Sequence, residues 1–279
     1  MTELQELNLQ LELQMQALDE KTAQWFVTLD ASQIPSSAGV EWKKLAKQHQ
    51  WGNLLAGSIE GEEPDLTCWL IPLNAEMLSL TLRLAKQHPF SCTWLQSAWS
   101  LASISKHWQK ISDAQLPNQK RGLLRFYDAC VLQTLPIMLN KDQWYAIYAP
   151  CTAWLYINRI GQLSLLSTPK CLAKPSSSVS LSQKQLAQLQ ASNQADHVIA
   201  HLIAEEHLSQ NSNPFESYAK VNAAITKLKQ HNINDTGQCY AFCMTTLDWT
   251  VEDYQSPQLA EQLQLVQQGK LDLYAVKSS

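Results

Sequence analysis

Arg121-Gly122-Leu123-Leu124-Arg125-Phe126-Tyr127-Asp128 opens the stretch that decides how this chain folds. From Gly122 the run is apolar and strand-like, and it ends in a charged, aromatic tip. A Leu-rich helix pattern follows. After it comes an aromatic-dense return, Trp144-Tyr145-Ala146-Ile147-Tyr148, leading into Trp154-Leu155-Tyr156. An Arg, a Tyr and an Asp bunched where a strand gives way to a helix must find partners inside the fold or meet one outside it, because desolvated charge is costly. The block contains no catalytic constellation.

Working outward, Trp25-Phe26-Val27-Thr28-Leu29-Asp30 reads as a buried strand. Residues 54–56, 66–71 and 90–95 read as further strands, the first two split by the polar turn Glu60-Gly61-Glu62-Glu63-Pro64. Leu4, Leu7, Leu11, Met15 and Leu18 recur at helical spacing and predict an N-terminal helix. Helices are also expected over 41–48, 74–84 with Asn74 as cap, and 101–111. A hairpin is expected from 153–157 and 163–166 around Arg159-Ile160-Gly161. Strands alternating with helices predict an α+β or mixed α/β lobe over residues 1–170, a mixed sheet flanked by helices. Pro169, Pro175 and Ser176-Ser177-Ser178 mark a linker, set at 171–180. Beyond it helix-start signals dominate: Ser182 with Gln185, Asn213-Pro214 with Glu216, Asp235 with Gln238, and Ser256-Pro257. Gly269 fits a helix stop. Residues 181–279 therefore read as a small helical bundle.

The 279 residues are 45% apolar and 16% charged, the composition of a folded globular protein. Ten Trp residues are many for this length, and most are expected in the core. A formal net charge of −4 and the absence of any Lys/Arg stripe argue against nucleic acid and against a polybasic membrane role. The N-terminus lacks the pattern of a signal peptide, and no run is long enough to span a bilayer. Seven scattered cysteines with no Cys-x-x-Cys pair fit reduced thiols. The expectation is a cytoplasmic protein without a cofactor.

His197, His201 and Glu205 share one helical face and form the one metal-like pattern. Val198 stands where the His-Glu-x-x-His signature needs its general base, so a solvated helix edge is the better reading. The cysteines lie in apolar contexts typical of inert thiols. No Gly-x-Ser-x-Gly elbow or Gly-rich phosphate loop is present. Asp30, Arg125 and Asp128 are expected to form an internal ion pair or a helix cap. Arg125 and Tyr127, at a strand end framing a groove, are also candidates to meet a peptide.

The Trp25–Asp30 block, the Thr93-Trp94-Leu95 to Trp99 region and Leu124-Arg125-Phe126-Tyr127-Asp128 resemble the effector chaperone (adaptor) family of bacterial type VI secretion systems. The order and spacing agree over about residues 24–150, and the Arg-Phe-Tyr-Asp core is the specific part. The chain departs from the family pattern at Ala129-Cys130, where Pro usually follows, and at Ala31, where Gly is common. The resemblance implies a protein that is not an enzyme. Such proteins bind an effector in the cytoplasm, commonly near its N-terminal region, and help load it onto the VgrG spike or its PAAR tip. Arg125, Tyr127 and Asp128 are then the expected centre, with Asp30 beside them and Trp94 and Trp99 as further candidates. The competing expectations are a metal- or thiol-dependent hydrolase and a scaffold that associates with its own copies.

Overall fold

The computed structural model describes residues 3–18, 23–169 and 175–276. The chain divides into two compact units, Met1–Gln190 and Ala191–Ser279. In the first unit the helices are α1 (Glu3–Ala17), α2 (Trp42–His49), α3 (Ile59–Glu62), α4 (Ala75–Gln87), α5 (Leu101–Ser112), α6 (Ala129–Leu132), α7 (Leu135–Met138) and α8 (Lys141–Tyr148). Its strands are β1 (Gln24–Asp30), β2 (Gly52–Asn53), β3 (Cys68–Pro72), β4 (Cys92–Ser97), β5 (Asp113–Gln115), β6 (Arg121–Leu123), β7 (Ala153–Ile157) and β8 (Leu163–Leu165). Helix α9 (Gln183–Ser192) runs across the division between the units.

The main sheet has six strands in the order β2-β3-β1-β4-β7-β8, and every pairing in it is antiparallel. The fold is therefore α+β, and the expected mixed sheet is corrected to an antiparallel one. The reason lies in the position of β1. Strands β3 and β4, joined through α4, both run antiparallel to β1 and so parallel to each other, but β1 sits between them. The strand–helix–strand pattern in the sequence is real; the parallel pair it suggests is split by an earlier strand.

Several local readings also shift. The run after Gly122 is a strand only through Leu123, where β6 pairs with β5 in a separate two-stranded ribbon. The Leu-rich segment breaks into α6 and α7. Trp144-Tyr145-Ala146-Ile147-Tyr148 is helical, because Asn140 and Gln143 close a capping box ahead of it. Its Trp144, Ile147 and Tyr148 then fall on one buried face at helical spacing. Residues 54–56 form a turn, and the strand there is the shorter Gly52–Asn53.

Alternation along the strands sends two sets of side chains to opposite faces of the sheet. On one face Phe26, Leu70, Leu95 and Trp154 share a core with Ile104 and Trp108 of α5 and with Trp144 and Ile147 of α8. Trp108 stacks on Trp154 at 5.0 Å between ring centroids, and its Nε1–H donates to Ile147 O at 2.9 Å. The polar atoms within this face are satisfied by one another. Thr28 Oγ1 lies 2.6 Å from Thr93 Oγ1, which also accepts from Trp154 Nε1 at 2.8 Å. On the opposite face Val27, Leu29, Ile71, Trp94 and Leu155 are buried, and α4 packs against β4 and against α1.

Of the segment expected as a linker, residues 171–174 lie outside the described residues, and the remainder is anchored to the first unit. Gln115 N–H donates to Val179 O at 2.9 Å and Leu181 N–H to Gln115 O at 2.8 Å, while Val179 and Leu181 join the first core. The second unit contains α10 (Gln194–Ala204), α11 (Pro214–Gln230), α12 (Thr236–Thr245) and α13 (Pro257–Gln267). Asn213, Asp235 and Ser256 cap their helices as their sequence context predicts. Val221, Ile225, Leu228, Phe242 and Leu263 are among the residues of its core.

Trp108→Ala removes a fully buried indole and orphans the Ile147 carbonyl. The expected cost is about 3–5 kcal/mol. Urea unfolding checks this, and a loss below about 1 kcal/mol contradicts the assigned packing.

Candidate functional site

Asp30 ends β1 with only 1% of its surface exposed. Its side chain caps the single helical turn Ala31–Gln33, with Oδ1 accepting from Ser32 N–H at 3.1 Å and from Ser32 Oγ–H at 2.7 Å. Oδ2 faces Arg125, whose Nη2 donates to it at 2.5 Å and to Ser32 Oγ at 2.7 Å. Ser32 thus accepts from the guanidinium while donating to the carboxylate, closing a three-residue polar ring. Sequence reading misses Ser32; the Asp-x-Ser spacing, which favours an Asx turn, is the signal that finds it.

Arg125 is placed by the turn that follows β6. Leu124 N–H donates to Ser112 O at 2.8 Å and Asp128 N–H to Arg125 O at 3.1 Å, so the backbone doubles back. Asp128 then caps α6, its Oδ1 accepting from Cys130 N–H at 2.9 Å, and its Oδ2 lies 3.9 Å from Arg125 Nε. Nε is buried and makes no hydrogen bond, so its contact with Asp128 is purely coulombic. The guanidinium carbon sits 5.9 Å from the centre of the Tyr127 ring. Tyr127 packs edge-to-face on Phe126 inside the core.

The electrostatics follow from burial. Desolvation alone would lower the Arg125 pKa, but Asp30, Tyr127 and Asp128 outweigh it and hold the value above its ordinary one. Burial, helped by Cys68, Asp30 and Asp128 and opposed by Arg125, pushes the Tyr127 phenol well up. Cys68, paired across the sheet with Asp30, is raised first by burial and then by that carboxylate. The neighbours thus hold Arg125 in its charged form and Tyr127 in its neutral form, an arrangement suited to holding structure.

The structure therefore brings Asp30, Arg125, Tyr127 and Asp128 together and leaves the other candidates elsewhere. Tyr127 is buried and is not presented to a peptide, whereas Arg125 keeps 34% of its side chain exposed. Trp94 has no exposed surface at all, since it points to the opposite face of the sheet, and its Nε1 has no hydrogen-bond partner. Trp99 is half-buried against the first core and meets His107 edge-on at 5.4 Å. His197, His201 and Glu205 are exposed on and just after α10, and His201 lies against Tyr240 at 4.3 Å. Among the described residues no three His, Cys, Asp or Glu side chains form a group able to hold a metal ion.

Ala129-Cys130 and Ala31, where the chain departs from the pattern it resembles, show no backbone strain. Ala129 is the first residue of α6, the position where Pro is also favoured, so Asp128 caps the helix either way. Ala31 has an ordinary negative φ and needs no glycine.

Residues 25–146 match the family model described as Domain of unknown function (DUF4123). The matched region runs from β1 into α8 and contains Asp30, Ser32, Arg125, Tyr127 and Asp128; the second unit lies outside it. No curated protein and no solved structure gives a match. No helix among the described residues is long and apolar enough to cross a membrane.

Arg125→Met leaves the Asp30 carboxylate buried without its cation. The expected loss is about 2–3 kcal/mol, below the range for fully buried pairs because Arg125 is partly exposed. Asp30→Asn combined with Arg125→Met should cost less than the two single changes summed, as a double-mutant cycle in urea would read; strict additivity rules out the pair.

Buried thiols supply a pH-dependent prediction. Burial pushes Cys92 and Cys243 each up to about 12. Unfolded thiols ionise near their ordinary value of about 8.5, so above it the unfolded state binds fewer protons than the native one. Stability is then expected to fall as pH rises from about 9 towards 12. Thiol labelling at about pH 8, just below that ordinary value, should be slow in the native protein and fast in urea. Rapid native labelling of Cys92 contradicts its placement.

Proposed function

We propose that this protein is a cytoplasmic adaptor-chaperone that binds a type VI secretion effector and helps load it onto the VgrG or PAAR spike. It acts by binding and not by catalysis. The observation that supports this most directly is the ring of Asp30, Ser32 and Arg125. It ties the first and third of the family-like sequence blocks together through hydrogen bonds of 2.5 and 2.7 Å, inside the region matched by the family model. The Arg-Phe-Tyr-Asp core thereby locks the turn before α6 onto the end of β1. Its surroundings raise the pKa of both the Arg125 guanidinium and the Tyr127 phenol, which suits a rigid binding frame better than a proton-transfer site.

A surface depression of about 740 Å³ lies apart from this ring, lined by Ile137, Met138, Asn140, Gln143, Leu181 and Gln185 among others. Exposed Ile137 beside amide side chains gives an apolar anchor with a polar surround, the usual composition of a partner contact. On this reading the surface of the first unit contributes to cargo binding while the Arg125 ring keeps it in shape.

Affinity purification of the tagged chain from the cells that make it, read by mass spectrometry, tests the proposal. Recovery of one large toxin-like protein together with VgrG or PAAR is the expected result. Recovery of the chain alone, at salt mild enough to keep weak complexes, overturns it.

A further inference from the structure

Strand β8 is the last strand on one side of the main sheet, and among the described residues it pairs with β7 alone. Its hydrogen-bond phase is defined at both ends of the hairpin. Asn158 N–H donates to Gln162 O at 2.9 Å, and Leu166 N–H donates to Trp154 O at 2.9 Å. With Tyr156 opposite Ser164, this phase aims the backbone of Ser164 at β7. The N–H and C=O groups of Leu163 and Leu165 therefore point away from the sheet. Among the described residues no hydrogen bond reaches them.

Natural edge strands are normally blunted by shortness, charge, proline, a bulge or a covering element, and of these β8 shows its three-residue length. Gln162-Leu163-Ser164-Leu165-Leu166-Ser167 contains neither a charged residue nor a proline. The opposite edge is treated differently. There the Gln109 Nε2–H of α5 donates to Asn53 O at 2.9 Å and so fills an outward-facing backbone acceptor. Among the described residues no such contact fills the outward groups of Leu163 and Leu165.

The surroundings of the open edge indicate its occupant. Leu165 is 49% exposed and lies on the same face of the sheet as Leu155. Helix α1 packs against β8 and exposes Leu9 (45%) and Leu13 (54%). The same helix exposes Glu6 and Glu12 and contains no Lys or Arg.

We propose that β8 is a docking edge for an extended segment of a partner protein, of alternating apolar and polar residues flanked by Lys or Arg. Backbone pairing supplies the hydrogen bonds, and alternate apolar side chains meet Leu165 and the α1 leucines. Antiparallel pairing of β8 with β8 of a second copy would set two acidic α1 helices side by side on one face. Charge therefore selects a different, basic partner. The proposal stands on the edge geometry and does not require the adaptor reading.

The test uses the full chain and a fluorescein-labelled peptide of alternating Val and Thr with two Lys at each end. The same peptide with Glu at its ends is the control. Anisotropy is expected to show saturable binding of the Lys form and roughly tenfold weaker binding of the Glu form. Hydrogen exchange should show new protection at the amides of Leu163 and Leu165. Leu165→Pro deletes an outward donor without removing a bond to β7, so it should cut affinity at least roughly tenfold at unchanged melting temperature. Leu165→Lys, a gatekeeper charge on an exposed side chain, gives the same reading should the proline variant not fold. Absence of binding, equal binding by both folded variants, or protection confined to other amides overturns the proposal. So does a dimer that Leu165→Pro or Leu165→Lys dissolves and that excludes the peptide.

Discussion

A carboxylate at the inner end of the central strand constrains the rest of this structure. Asp30 is almost fully removed from water, and leaving it there without its cation would use up a large share of the stability margin of an ordinary domain. Its cation comes from Arg125, far along the chain, so the β5–β6 ribbon and the turn after it must return to the end of β1. Once that turn is held, Asp128 is in place to start α6, and Phe126 and Tyr127 are delivered into the aromatic core around Trp108 and Trp154. One ion pair thus couples strand order, helix start and core packing. Replacing it by an apolar pair of the same volume would remove the demand for this connection, which is why its role is better described as specifying the fold than as adding stability.

Much of this is legible in the sequence, and the failures share a cause. Helix starts are readable because a cap is a local event: Asn74, Ser182 with Gln185, Asn213, Asp235 and Ser256 each bond to backbone within three residues. The hairpin of β7 and β8 is readable for the same reason. Strand order is not, because nothing local in β3 or β4 reveals that β1 lies between them. Trp144–Tyr148 reads only as an aromatic-dense return, since aromatic residues favour strands while the capping box at Asn140 starts a helix. Asp30 and Arg125 stand out as types that need partners, yet Ser32, which joins them, looks like an ordinary loop residue. Trp94 invites a surface reading that its burial refutes, since a large aromatic is as much at home in a core.

The buried position of the motif changes what a match in this region means. Asp30, Phe126 and Tyr127 have almost no accessible surface, so a partner cannot select among chains by touching them. What they determine is that the sheet and the α5–α8 layer assemble in one way. A sequence signature built on such residues reports a shared scaffold, and recognition has to be encoded on surfaces the signature does not include. Arg125 is the exception within the block, with a third of its side chain open to solvent, but its Nη2 is already committed to Asp30 and Ser32.

That division of labour bears on how an adaptor of this kind would work. A protein that carries cargo without an energy source must hold it firmly enough to protect it and loosely enough to pass it on. Contacts made through backbone hydrogen bonds at a strand edge suit this, because they depend weakly on the cargo's side chains and break one residue at a time. The outward groups of Leu163 and Leu165 are few, so such an edge alone yields a short-lived complex, and lifetime is where most affinity differences between related complexes arise. A second contact on the same rigid unit, such as the depression beside Ile137, would lengthen that lifetime by raising the effective concentration of the cargo at the first. On the proposed adaptor reading, the Asp30–Arg125 ring would contribute by keeping the unit that bears both surfaces from loosening, so its effect on cargo would lie in preorganisation and not in contact.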